Sequence, residues 1–278
     1  MTTDQARGAV GEVPAGSLTA GIADIKAGVS RYQVWGTLTW HSIRSSYRRT
    51  YLGPWWITLQ TVVFVAGLSM LFGILLDQDI HTFVPYVAIG FIVFTWMTGM
   101  IQGGANAIVK NASGITSTPG PMSTYVLEGF ASTTIQFGHD AIVIVAVLVL
   151  FQVPVGWSIV LVPVALALIC INGIAVGLWL GPVVARYRDV GQIVTSIVRV
   201  MFFFTPIFWV ADDLTSKQQA AIAGWNPLAY LLEFMRAPLL GEWPGQIAVI
   251  GTFVITFVNV IVGVWHFSRV HNRIAYWV

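Results

Sequence analysis

The sequence predicts an all-α integral membrane protein, and three observations support that class. Apolar residues make up 56% of the 278-residue chain and charged residues only 9%, with a mean hydropathy of +0.76. Six separate apolar stretches each reach the roughly 20 residues that a helix needs to cross a bilayer: Trp55–Leu76, Phe83–Gln102, Ala131–Phe151, Trp157–Val184, Val190–Val210 and Gln246–His266. Each stretch is continuously apolar, whereas a barrel strand alternates, so its backbone groups are expected to be satisfied inside a helix. Little chain remains for a separate soluble domain.

Taken in order, Met1–Ser30 is polar, rich in Gly and Ala, and has no apolar core before a cleavage site, so it reads as a flexible tail and not a signal peptide. Val29–Thr50 reads as an amphipathic helix with Val29, Tyr32, Trp40, Ile43 and Tyr47 on one face, Arg49 opposite and Arg48 to the side. Trp35 and Leu38 fall off that stripe. Such a helix lies in the membrane plane with its arginines toward phosphate headgroups, or else is a basic flank that sets topology. Gly53-Pro54 ends it, because proline has no amide hydrogen to continue the ladder, and Trp55-Trp56 anchor the first span at the interface.

Asn111–Gly129 follows the second span. Its first half is turn-prone, and Pro121 is placed to begin a short helix through Glu128, which is either a rigid knob for a partner or an ordinary connection. Ala185–Asp189 is a tight loop in which Asp189 favours the start of the fifth helix. Ala211–Gly245, broken by Asn226-Pro227, Pro238 and Gly241, is expected to form short helices dipping into the outer leaflet. The two halves share no corresponding Gly or Pro interruptions, which disfavours an inverted-repeat carrier.

Charge orients the bundle. Arg44, Arg48, Arg49, Lys110, Arg186, Arg188, Arg269 and Arg273 flank the spans on one side. The other side holds Asp77, Asp79, Asp212, Asp213, Glu233 and Glu242 against Lys217 and Arg236. Basic loops mark the cytosolic face, which puts both termini inside. A net charge of +2 reflects this asymmetry and gives no reason to expect nucleic acid as a partner.

No G-x-x-x-x-G-K-[ST] loop occurs, so ATP hydrolysis by this chain is not expected. His41, His81, His139, His266 and His271 show no ligand spacing, no metal site is expected, and the single Cys170 reads as helix filler. Charges within the spans are costly and face a partner or a cavity. Asp140 and Arg199 are expected at similar depth as a neutralising pair, with a proton relay as the alternative. Among 36 aromatics (12 Trp, 8 Tyr and 16 Phe), most are expected in interface belts and packing, but Trp96, Phe202, Phe203, Phe204, Phe208 and Trp209 are candidates to line a pathway by stacking on sugar rings.

Several segments, in order, resemble the permease subunit of ABC-2-type polysaccharide exporters, the O-antigen (Wzm-like) type. They are Tyr47-Arg-Arg-Thr-Tyr-Leu-Gly-Pro-Trp55; Gly90 with Phe94-Thr-Trp96 leading to Asn106 and Asn111; Arg186-Tyr-Arg-Asp189; Thr205-Pro-Ile-Phe-Trp209; Asn226-Pro-Leu228; Arg236-Ala-Pro-Leu-Leu-Gly241; and Arg273-Ile-Ala-Tyr-Trp277. The resemblance runs from about Tyr32 to the C-terminus and is greatest to actinobacterial members, including the mycobacterial galactan exporter. It departs in the tail before Ser30 and in Ser117-Thr-Pro-Gly-Pro121, whose two prolines blur the start of the loop helix.

The resemblance implies an ABC-2 (type V exporter) permease fold over residues 31–278, with an interfacial helix at 31–51 and six spans within 55–267. It implies a homodimer in the bacterial plasma (inner) membrane, in contact with membrane lipid, working with two copies of a separate Wzt-like ATP-binding subunit to export a lipid-linked polysaccharide. No cofactor is expected on this chain; ATP and Mg belong to the partner. Coupling to the ATPase falls on Ile115, Thr116, Ser117, Thr118, Pro119, Met122 and Tyr125. The interfacial gate and substrate entrance fall on Trp40, Arg44, Tyr47, Arg48, Arg49, Gly53, Pro54 and Trp55. Arg44, Arg48 and Arg49 either attract a pyrophosphate or simply set topology. An ABC-2 drug or lipid exporter is the alternative, and a membrane-embedded glycan transferase is disfavoured because candidate catalytic groups are scattered.

Overall fold

The computed structural model describes residues 17–46, 53, 55–117, 120–210 and 223–278, and these are helical with short connections and no strand among them. The helices are α1 (Leu18–Ser30), α2 (Tyr32–Ser46), α3 (Trp55–Leu75), α4 (Ile80–Lys110), α5 (Ala112–Ser117), α6 (Ser123–Leu150), α7 (Val162–Arg186), α8 (Asp189–Phe204), α9 (Pro227–Leu239) and α10 (Gln246–Val270). A 3₁₀ turn at Trp157–Leu161 leads into α7, and another at His271–Tyr276 follows α10.

Five helical stretches among the described residues are long and apolar enough to span a membrane: α3, α4, α6, Trp157–Arg186 and Gln246–Tyr276. The stretch expected as the fifth span, Val190–Val210, differs. Only Asp189–Phe204 is helical, 16 residues, and a bend follows over Thr205–Trp209. At about 1.5 Å per residue this helix reaches about 24 Å, short of a hydrocarbon core of about 30 Å. Pro206 explains the stop, since its ring disfavours helical backbone at Thr205. Asp189 does open α8, but in its first turn with no side-chain capping bond, so it acts on the helix dipole.

The centre of the molecule is α4. Of its most apolar stretch 67% is buried, against 17% for α3. It packs on α6 and α7, and α7 packs on α10. These contacts are close because the crossings carry glycine: a Cβ on Gly104 of α4 would sit 2.7 Å from the Cα of Gly177 on α7. Small residues at crossings are the membrane solution, since helix association in lipid relies on close van der Waals packing. α3 follows the same logic. It turns Thr58, Thr61, Val65 and Ser69 inward and leaves Val63, Met70 and Leu71 exposed, the reverse of a helix in water.

The N-terminal region departs from expectation. Leu18–Ser30, read as part of a flexible tail, is a helix capped by Ser17, and it packs on α6 and α10. A tight break at Arg31 separates it from α2, so the single helix expected over Val29–Thr50 is two. α2 packs on α6, with Thr39 buried and Trp35, Leu38, Ser42 and Ile43 half-buried, while Tyr32 and Trp40 of the expected apolar stripe are 63% exposed. Leu38, off that stripe, packs against the core cluster around Tyr125 and Phe267. The short helix expected from Pro121 to Glu128 is not separate: it forms the first turns of α6, because nothing between Gly129 and Ala131 breaks the ladder.

Candidate coupling and translocation site

Three zones hold the residues singled out from sequence. The first is the hairpin between α4 and α6, at the end of the bundle that carries Lys110, Arg186 and Arg269. Here α5 is a single helical turn and a half, with Ile115 buried and Thr116 and Ser117 exposed. Ile115 and Tyr125 belong to a small core with Ile108, Phe267 and Ile274, and Met122 packs against it. The hairpin's base is braced by Glu128, which is 1% exposed. It accepts from Lys110 Nζ at 3.1 Å and Asn111 Nδ2 at 3.3 Å, and Lys110 Nζ also meets Ser42 Oγ of α2 at 2.7 Å. A buried carboxylate held by two donors fixes the two helical arms of the hairpin to each other, and Lys110 ties them to α2. Thr118 and Pro119 lie outside the described residues.

The second zone is the approach to α3. Arg44 and Trp40 are exposed on α2, and Trp55 is 56% exposed at the start of α3. Gly53 has φ +55°, a left-handed turn conformation that glycine adopts without strain. Tyr47, Arg48, Arg49 and Pro54 lie outside the described residues.

The third zone is a cleft of about 280 Å³ between α3, α4 and α6. Gln60, Thr95, Thr133 and Gln136 give it hydrogen-bonding groups, and Phe64 and Phe91 give it ring faces. Of the candidate pathway aromatics only Trp96 lines it, 3% exposed, stacked on Phe137 at 4.0 Å with its Nε1 donating to Thr134 Oγ1 at 3.4 Å. Phe208 belongs to a ring cluster that continues from the cleft through Phe64, Phe91 and Phe202 to Phe72. Phe204 leans on Trp225, Phe203 is exposed, and Trp209 Nε1 donates to Phe203 O at 3.2 Å.

Asp140 lines the cleft, but the expected pair with Arg199 is not formed. Asp140 is 6% exposed and accepts from Thr61 Oγ1 at 3.0 Å. Arg199 is exposed on α8, and the ion pairs among the described residues are Lys110–Glu128 and Arg236–Glu233. The reason is geometric: α8 packs on α4 and α7, whereas Asp140 of α6 turns toward α3. No group of three or more metal-ligating side chains occurs among the described residues.

Sequence reasoning places Arg236 among the external charges but misses its burial and its partners: it is 3% exposed. Its guanidinium carbon lies 3.8 Å from the Tyr86 ring centroid, Nη2 pairs with Glu233, and Nη1 donates to Pro206 O. Tyr86 Oη also donates to Trp209 O at 3.1 Å. Asn226 caps α9 and donates to Phe204 O and Thr205 Oγ1 at 3.2 and 2.8 Å. These groups satisfy the irregular backbone at Thr205–Trp209, a requirement for any non-helical chain buried among spanning helices. The usable signal was Asn226-Pro227, a cap followed by proline at the first helical position.

Long apolar helices around a glycine-tight centre, with a braced hairpin at one end, define a multi-pass membrane protein. The sequence pattern described as the ABC-2 type transporter family matches residues 33–240, and the chain belongs to that family. It is similar to the O-antigen export system permease protein RfbA of Myxococcus xanthus, 22% identical over 72% of this chain and 78% of that protein. A protein of the same description from Klebsiella pneumoniae is 20% identical over 86% of this chain and 92% of its own length.

Proposed function

We propose that this chain is the permease subunit of an ATP-driven exporter that moves a lipid-linked polysaccharide, of the O-antigen or galactan type, from the cytosol across the plasma membrane. The observation that carries the reading is membership of the ABC-2 type transporter family over residues 33–240, together with relatives described as O-antigen export permeases. The basic end of the bundle is cytosolic by the positive-inside rule, with both termini inside. The hairpin braced by Glu128 then faces the cytosol and offers Thr116 and Ser117 to a separate ATP-binding subunit. That subunit supplies ATP hydrolysis, since this sequence has no phosphate-binding loop of its own.

Two copies of the permease and two of the ATPase form the working unit. The cargo's pyrophosphate meets Arg44, Arg48 and Arg49 by charge-assisted hydrogen bonds. Its sugars pass aromatic faces of the kind found in the cleft beside Trp96, which hold a ring by stacking without strong, release-limiting hydrogen bonds. Reconstitution of the permease with its ATPase in vesicles tests the proposal. Lipid-linked glycan should cross only with ATP and both proteins present, and more slowly when all three arginines are replaced by Gln. Transport by the permease alone, without nucleotide, would refute it.

A further inference from the structure

We propose that α1 is a latch that makes ATPase-driven motion of the hairpin productive, with Asp24 as its positioning residue. The inference rests on the reading of residues 111–128 as the ATPase contact. Its own support is a set of contacts that the tail-like sequence before Ser30 did not announce.

The α6 helix begins where the hairpin ends, and its own preceding residue, Met122, provides no side-chain cap. The carboxylate of Asp24, on α1, takes that place. Oδ2 accepts from Met122 N at 3.0 Å, and Oδ1 accepts from Ser123 N at 3.0 Å and Ser123 Oγ at 2.7 Å. The Asp24 main-chain oxygen also accepts from Ser123 Oγ, at 2.9 Å. A carboxylate against free helix N–H groups satisfies donors that have no intrahelical partner and is favoured by the helix dipole.

The same face of α1 carries Gly21 and Gly28, three residues before and four after Asp24. A Cβ on Gly28 would lie 2.2 Å from Ser123 Oγ, and one on Gly21 would lie 2.0 Å from Ser268 Oγ and 2.4 Å from Ser268 Cα. Ser123 and Ser268 are both fully or nearly fully buried. One glycine-lined face therefore touches the start of α6 and the end of α10 together. α6 runs unbroken from this point to Asp140 and the membrane cleft. A push on the hairpin moves α6 and α10 as one body while the cap holds, and moves the hairpin alone when it is lost.

The test uses the full complex with its ATPase, comparing D24A, D24N, G21A and the exposed-surface control K26A. G21A is informative because alanine favours the helix itself, so a defect reports lost docking. D24A and G21A should lower glycan exported per ATP hydrolysed by about fivefold or more, the scale of a typical coupling energy, while ATP turnover stays within about twofold. D24N, which keeps one acceptor, should fall between, and K26A should match the parent. An unchanged ratio in both D24A and G21A, or export and turnover falling in parallel at normal membrane levels, overturns the latch.

Amide hydrogen exchange supplies a readout independent of cargo. Met122 and Ser123 should exchange about tenfold faster in D24A, as for loss of one helix cap, and unchanged exchange also overturns the latch. Failure of the parent complex to export with ATP would instead refute the proposed function and leave the exchange result to judge the latch.

Discussion

Replacing Arg236 with Met should destabilise the protein by about 3 kcal/mol, and the figure can be built from its contacts. A desolvated guanidinium over a ring is worth about 2 kcal/mol, and here the separation is 3.8 Å with Arg236 3% exposed. A charged donor to a main-chain carbonyl adds about 1.5–3 kcal/mol, which applies to the bond to Pro206 O. The pair with Glu233 adds at most about 1 kcal/mol, because that carboxylate's side chain is 36% exposed. Against this sum, Met relieves the desolvation cost of a buried charge and fills part of the volume, which brings the net to about 3 kcal/mol. Lys should recover about half, since an ammonium is a point donor without the planar fork. Tyr86→Phe keeps the ring but removes the bonds to Pro206 O and Trp209 O, and should cost about 1 kcal/mol. Unfolding titrations in mixed detergent micelles, followed by tryptophan fluorescence, measure all three. If Arg236→Met lies within about 0.5 kcal/mol of the parent, or costs less than Tyr86→Phe, the account of this cluster as the support of the Thr205–Trp209 bend is wrong.

Two further substitutions probe the packing of the bundle. Gly177→Val should cost about 3 kcal/mol by overpacking, because even a Cβ would come within 2.6 Å of Val126 Cγ1; a parental melting temperature and a monodisperse profile on gel filtration would contradict it. Thr61→Val removes the hydrogen-bond donor to buried Asp140 and should cost about 1–3 kcal/mol, whereas Arg199→Gln should change stability by no more than about 0.5 kcal/mol. The opposite ordering in the same unfolding titration would restore an Asp140–Arg199 pair.

The long helices were legible because lipid imposes a length and a composition that hydropathy reads directly. That same averaging hid the end of α8. Phe202-Phe203-Phe204-Thr205-Pro206-Ile207-Phe208-Trp209 is apolar but for Thr205, so a sliding average runs across the bend there. The local stop signal, proline after threonine, is present but is a single residue pair that hydropathy does not register. In the hairpin, the position of the candidate coupling residues along the chain was readable, but their division into buried Ile115 and Tyr125 and exposed Thr116 and Ser117 was not. That division depends on which helices cross nearby, and a six-residue turn has too few positions to show a periodicity.

The polar partners were the least legible part, and the reason is common to all of them. Depth alone pairs Asp140 with Arg199, but depth leaves the azimuth of each helix free, and Asp140 in fact points to Thr61. Arg236 falls in Ala211–Gly245, where helix breakers predict short helices on the external side; α9 is such a helix, yet it packs among the other helices and its arginine is enclosed, which the breakers do not show. Asp24 lies about a hundred residues from the groups it caps, in a segment whose glycines suggest a flexible chain until a helix is found pressed against their bare faces. Hydrophobic periodicity reports the surface that a helix turns to lipid, whereas each of these groups acts across the opposite surface, at helix crossings that single-chain patterns do not encode. In this protein the polar side chains at such crossings, half-buried Asp24 and buried Glu128, Asp140 and Arg236, hold the hairpin, the cleft and the bend in place.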